Sequence, residues 1–193
     1  MDYTPIKFES RQEREDYLRT HYTPILGELG VGGLISSGFL IAPASTKYHG
    51  AYEGGLFDHS VNVAEILHSL SHDNNLKWKN GSIDRSPWII GILHDLCKTD
   101  QYKPILNETG DVIPGRYEWN NNPIVKGHGM KSVIYAQAMA IRLSEEERAC
   151  IIYHMGAFTP QEEWRDYTHA VNMYSNVLWT HHADMIASHI MEV

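Results

Sequence analysis

Residues 87–98 read PWIIGILHDLCK, and this stretch decides the class of the chain. Pro87 suits the first turn of a helix, because the N–H it lacks is one that a helix start leaves unpaired anyway. The residues behind it are apolar on every face, so this helix belongs at the centre of a fold. His94 and Asp95 break that apolar setting. A carboxylate buried without a partner costs several kcal/mol, so Asp95 demands a partner inside the protein. Adjacent helix residues diverge by about 100°, which lets His94 and Asp95 approach a common centre from different directions.

Outward from this helix the pattern stays helical. Before it, residues 58–73 are amphipathic, with Val63, Ile66, Leu67 and Leu70 at helical spacing. His59 shares their face by the i, i+4, i+7 rule and points inward. Residues 30–57, rich in Gly and small side chains, read as a short helix and a loop ending in AYEGGLFDH; residues 9–29 read as one or two short helices interrupted near Pro24. After the central helix, KPILNETGDVIPGRYEW places turn signals between short extended pieces, which predicts a β-hairpin or flap over 103–123. Helices resume at 128–142 and 144–155, the second opened by Ser144 with Glu147 completing a capping box. A last helical region covers 167–191, broken near 175. The expected class is all-α, a helical bundle with one small hairpin insertion. It forms a single domain over 1–193, with a core at about 45–190 and a helical extension at 1–44.

Composition narrows the function. The 193 residues are 42% hydrophobic and 21% charged, which fits one soluble domain with a sizeable core. No run of about 18 apolar residues occurs, so no membrane span or membrane partner is expected. The polar start MDYTPIKFESRQERED is not a secretory signal, and the expected location is the cytoplasm. Cys97 and Cys150 sit in apolar patterns without a CxxC pair and read as buried, reduced thiols. A net charge of −8 lacks the footprint of a general nucleic-acid binder. A small phosphorylated substrate held through metal ions suits it better. The 12 histidines are the outlier; they are spread along the chain, and histidine is the commonest metal ligand.

His154 closes the run CIIYH in another apolar helix, and Asp184 lies in HHADMIAS among apolar neighbours. Taken singly, a buried His is usually a hydrogen-bonded core residue, and a buried Asp a cap or a paired charge. Together they are different. Several core-facing His and Asp residues on separate helices must share one interior, and a metal ion satisfies them jointly. Imidazole nitrogens with carboxylate oxygens suit a borderline or hard divalent ion. Helical bundles build metal sites this way, from side chains on facing helices.

The order of these residues resembles the HD-domain (His–Asp) superfamily of metal-dependent phosphohydrolases. The resemblance rests on GGLFDHSVNVA, on GILHDLCK with a lysine three positions after the Asp, and on the late Asp of HHADMIAS. The further histidines in GHGMKSV and IIYHMG resemble the subset that binds two metal ions, and STKYHGAYEGGLFDHS is similar to the HD domain of bacterial 3′–5′ exoribonucleases. No nucleic-acid-binding module accompanies it, so exoribonuclease activity does not carry over. The resemblance implies hydrolysis of a phosphomonoester or phosphodiester of a nucleotide-like substrate by metal-activated water. It implies His59, His94, Asp95 and Asp184 on a first ion, His128 and His154 on a second, and Asp95 bridging. The cofactor would be one or two divalent ions from Mn, Fe, Co, Ni, Zn or Mg. The family often has Gly before the motif lysine; here Cys97 stands there and is expected to fill space.

Lys98 follows Asp95 by three and lies near the same face, where it is expected to bind a phosphate oxygen or orient the bridging Asp. Together Asp95 and Lys98 are the expected catalytic pair. Tyr48 and His49, in the loop before the first metal helix, are candidates for reaching substrate. Lys103, Arg116 and Lys126 flank the hairpin and are candidates for neutralising phosphate charge. Of His181 and His182, at most one is expected to face the site. His21, His68, His72, His169 and His189 carry no functional expectation. Two other readings stand beside the hydrolase: a di-iron oxygenase of the same superfamily using the same six ligands, and a non-catalytic nucleotide-binding sensor. The complete ligand set argues against the sensor. Oligomeric state is left open.

Overall fold

A computed structural model describes residues 4–193. Among them the chain forms α1 (Arg11–Ser36), α2 (Gly55–Asp73), α3 (Ser86–Leu93), β1 (Tyr102–Leu106), β2 (Val112–Trp119), α4 (Gly129–Ala138), α5 (Glu145–Tyr153), α6 (Trp164–Met173) and α7 (Asn176–His189). Short 3₁₀ turns lie at Leu96–Asp100, Gly156–Phe158 and Gln161–Glu163. The class is all-α with one antiparallel hairpin, as the patterning predicts.

The apolar helix α3 is central. Ile89, Ile90, Ile92 and Leu93 are fully buried within one continuous core that runs from Leu18 on α1 to Val193. The helices α2 and α3 touch backbone to backbone at Gly91, where a Cβ would stand 2.3 Å from Ala64 Cα. The other flank of α2 packs against α7, which in turn packs on α5. No helix among the described residues is long and apolar enough to cross a membrane.

Two local expectations need correction. The bend in α1 falls at Gly27 (φ 73, ψ 166), not at Pro24, which lies inside the helix. Proline's fixed φ is itself helical, whereas only Gly takes this left-handed value without penalty. The pair His94–Asp95 does not ride one helix. His94 is the C-cap of α3, and Asp95 (φ −106, ψ 16) lies outside it, at the start of the 3₁₀ turn. The cause is Ser132 of α4. Its Oγ donates to His94 O at 2.8 Å and accepts from Cys97 N at 3.0 Å, taking groups that would otherwise continue the helix. Lys98 N then turns back to Asp95 O at 2.9 Å, a 3₁₀ bond.

The hairpin pairs Tyr102 with Trp119, Lys103 with Glu118 and Leu106 with Val112, with an irregularity between Pro104 and Leu106. Asn107 closes its turn, accepting from Thr109 N and Asp111 N. The Ser144–Glu147 capping box opens α5 as expected. The break between α6 and α7 at Tyr174–Ser175 matches the reading near 175.

Candidate metal centre

His94 and His154 occupy equivalent places, as C-caps of α3 and α5. Each faces, through Nδ1, a carbonyl three residues back: Gly91 O at 2.7 Å and Ile151 O at 2.7 Å. These are carbonyls that a helix end leaves without an intrahelical partner. His59, in the second turn of α2, faces Val193 O through its Nδ1 at 2.8 Å. A main-chain oxygen only accepts, so in the neutral rings all three Nδ1 atoms carry the proton and all three Nε2 atoms are left as lone-pair donors. His128, the N-cap of α4, has its Nδ1 3.2 Å from Cys97 Sγ.

The Nε2 atoms converge in two pairs, His59 with His94 at 3.2 Å and His128 with His154 at 3.1 Å. Asp95 stands between them. Its Oδ2 lies 3.4 Å from His94 Nε2 and 3.7 Å from His59 Nε2, and its Oδ1 lies 3.1 Å from His128 Nε2 and 3.5 Å from His154 Nε2. Asp184 Oδ1 completes the first group, 3.3 Å from His59 Nε2 and 4.0 Å from His94 Nε2. His59, His94, Asp95, His154 and Asp184 are buried, and the His128 side chain is 30% exposed.

Three donor sets have ligand atoms within 4.8 Å of one another: His59–His94–Asp95, His94–His154–Asp184 and Asp95–Cys97–His128. Asp95 Oδ1 is buried and has no hydrogen-bond partner. With both rings neutral, two lone pairs meet in the His59–His94 pair, an arrangement that calls for a cation. Around an ion with bonds of about 2.0–2.1 Å, neighbouring donors lie roughly 2.8–3.4 Å apart. The distances of 3.1, 3.2, 3.3 and 3.4 Å fall in that range. Partial negative charge at the C-termini of α3 and α5 favours positive charge in the same place. The residues fit divalent metal ions.

Charge inside the cluster is set by opposing forces. Burial pushes the Asp95 carboxyl up, but Lys98, His94 and the imidazoles of His128 and His154 hold it well below the usual carboxylate range. Burial likewise opposes ionisation of Asp184, and His59 and His94 outweigh it. Lys98 Nζ lies 2.6 Å from Asp95 Oδ2 with its side chain only 12% exposed, so it is no solvated surface lysine. Burial works against its charge, and Asp95 more than restores it. The Cys97 thiol is pushed up to about 12, by burial first and then by Asp95.

The family model of the HD domain matches residues 56–186, about two thirds of the chain. The chain belongs to the HD-domain family. Its members are for the most part metal-dependent phosphohydrolases. No curated protein and no solved structure matches the chain.

The HD domain thus gathers all six sequence-predicted ligand residues, and Lys98 with them. Tyr48 and His49 line a cavity of about 540 Å³ with Ser188, His189 and Glu192. The His49 ring lies 5.1 Å from that of His59. Burial, then the charges of His59 and Lys98, pull His49 down to about 4, so it is neutral at neutral pH. Lys103 and Arg116 are exposed on the hairpin, and the structure does not bring them among the donors. Lys126 lines a separate cavity of about 270 Å³ with Trp119 and Lys131. His181 reaches the site through the backbone, its Nδ1 2.9 Å from His154 O, while His182 is exposed.

Sequence reasoning missed the groups that orient the ligands: the carbonyls of Gly91, Ile151 and Val193, and the Ser132 hydroxyl. Backbone carbonyls leave no mark in composition. Gly91 does leave one, as the lone glycine inside WIIGIL.

Proposed function

We propose that this HD domain hydrolyses a phosphomonoester or phosphodiester of a small nucleotide-like substrate, with two divalent ions bridged by Asp95. The observation that carries this reading is the placement of Asp95, whose two oxygens face different imidazole pairs while Oδ1 has no hydrogen-bond partner. His59, His94 and Asp184 would hold one ion with Oδ2, and His128 and His154 the other with Oδ1. Bound there, the ions would supply Lewis acidity to the phosphoryl group and lower the pKa of the attacking water.

The chain's own residues do the rest. The ammonium of Lys98 keeps the Asp95 carboxylate ionised and offers positive charge to a phosphate oxygen. His49, neutral beside His59, contributes a hydrogen bond at the cavity wall without adding charge. Tyr48, 73% exposed in the same cavity, offers an aromatic face to the part of the substrate beyond the phosphate. An anionic substrate suits a cluster whose surplus charge, once ions are bound, is positive.

Elemental analysis of the purified protein, followed by a phosphate-release screen over nucleotides with added manganese, tests this. The expected result is release from at least one substrate, reduced at least about a hundredfold by Asp95→Asn together with loss of bound metal. If wild type and this variant behave identically on every substrate, the assignment is wrong. If iron-loaded protein consumes dioxygen and releases no phosphate, oxygenase chemistry replaces it.

A further inference from the structure

On α2, beyond the ligand His59, a second pair of imidazoles lies one turn apart. His68 and His72 stand at i and i+4, the spacing at which helix side chains meet. Their Nε2 atoms are 3.1 Å apart, with ring centroids at 4.5 Å and the planes edge to face. This separation matches those of the paired imidazoles around Asp95, 3.1 and 3.2 Å. The two rings differ in exposure. His68 is half-buried, with its ring 4.6 Å from that of Trp88 on α3, which fixes its direction; His72 is exposed and free to adjust. Burial first, then the neighbouring His72, lowers the His68 pKa against the opposing charge of Asp84, which keeps this ring in the unprotonated form that a metal ion needs.

We propose that His68 and His72 form a surface chelate for a borderline transition-metal ion, separate from the centre at Asp95. Two neutral imidazoles select nickel, copper or zinc over magnesium or calcium, which prefer oxygen ligands. Two histidines one helical turn apart are a known way for a helix to grip such an ion. Water fills the remaining positions. An elemental analysis of this protein would then count an ion that takes no part at Asp95.

The test is titration of the full, metal-loaded chain with nickel(II), followed by calorimetry and by tryptophan fluorescence, since Trp88 touches His68. One saturable equivalent with quenching is expected. His72→Ala, at an exposed position that leaves the fold intact, weakens that phase by more than the roughly tenfold that loss of an outer metal partner costs. Trp88→Phe keeps the binding and loses the quench. Nickel entering the Asp95 centre appears equally in wild type and in His72→Ala, so it cancels in the comparison. If the two proteins titrate identically, or wild type shows no saturable phase, His68 and His72 are only hydrogen-bonded to each other and the chelate is refuted. The outcome is independent of whether the protein releases phosphate.

Discussion

Replacing Gly91 with Ala is expected to damage stability and metal binding together. A Cβ at this position would stand 2.3 Å from Ala64 Cα and 2.4 Å from Ala64 N. Carbon atoms rest at about 3.5 Å or more, so α3 must move from α2 by about 1.2 Å. Both obstructing atoms are backbone, and no flexible side chain can swing aside. Overpacking of this kind costs about 1–3 kcal/mol, against up to about 1 kcal/mol gained from replacing Gly in a helix. The net loss of about 1–2 kcal/mol lowers Tm by roughly 3–6 °C for a chain this size. Gly91 O also holds His94 Nδ1 at 2.7 Å, so the displacement carries His94 away from His59. Their Nε2 separation, now 3.2 Å, would open to about 4 Å, too wide for two donors at adjacent positions around one ion. A misplacement near 1 Å can cost about a hundredfold, so metal affinity is expected to fall between tenfold and a hundredfold. Thermal melts with and without chelator, paired with manganese calorimetry, measure both. Gly32→Ala, where an added Cβ meets nothing within 4 Å, is the control and should leave metal affinity unchanged. A Gly91→Ala protein that is destabilised yet binds metal as tightly as wild type would refute the coupling of helix spacing to ligand spacing.

Three further outcomes are expected. Glu147 is buried and accepts from Ser144 N, Ser86 Oγ and Arg85, so Glu147→Ala should cost about 2–3 kcal/mol in urea denaturation, and a change below about 0.5 kcal/mol would contradict this network. Burial is the main force raising both thiols, Cys97 to about 12 and Cys150 also well above its usual value, so iodoacetamide at pH 8 should leave the folded protein unmodified and label both in urea. Folded His49 takes up a proton only near pH 4, whereas the unfolded chain takes it up near 6.5; stability attributable to His49 is therefore full above 6.5 and lost as pH falls towards 4. In chelated protein, His49→Asn should flatten the acid limb of the stability curve in that window, and an unchanged limb would show that His49 is not shielded.

The sequence made the class and the donors legible for different reasons. Helical periodicity in α2 and the apolar run of α3 mark a buried interior, and His59, His94, Asp95, His154 and Asp184 are the residue types that such an interior excludes unless something binds them. The Ser144–Glu147 box and the turn around Asn107 are local chemistry and can be read without tertiary knowledge. The geometry between His94 and Asp95 could not be read, because Ser132, 37 residues after Asp95 in the chain, ends the helix there. The bend at Gly27 was hidden by the more conspicuous Pro24. The pair His68–His72 does not stand out in the sequence because exposed histidines are ordinary one at a time, and only the ring packing of Trp88 gives one of them a fixed direction.

Three of the orienting contacts at the Asp95 cluster lie on the far side of an imidazole. The carbonyls of Gly91, Ile151 and Val193 grip the rings from behind, and nothing in that grip depends on what stands in front. An ion held there would therefore depart, and another arrive, without the cage being rebuilt. Exchange among divalent cations should be a matter of ligand chemistry and supply, so cells grown on different trace elements should yield this protein carrying different metals.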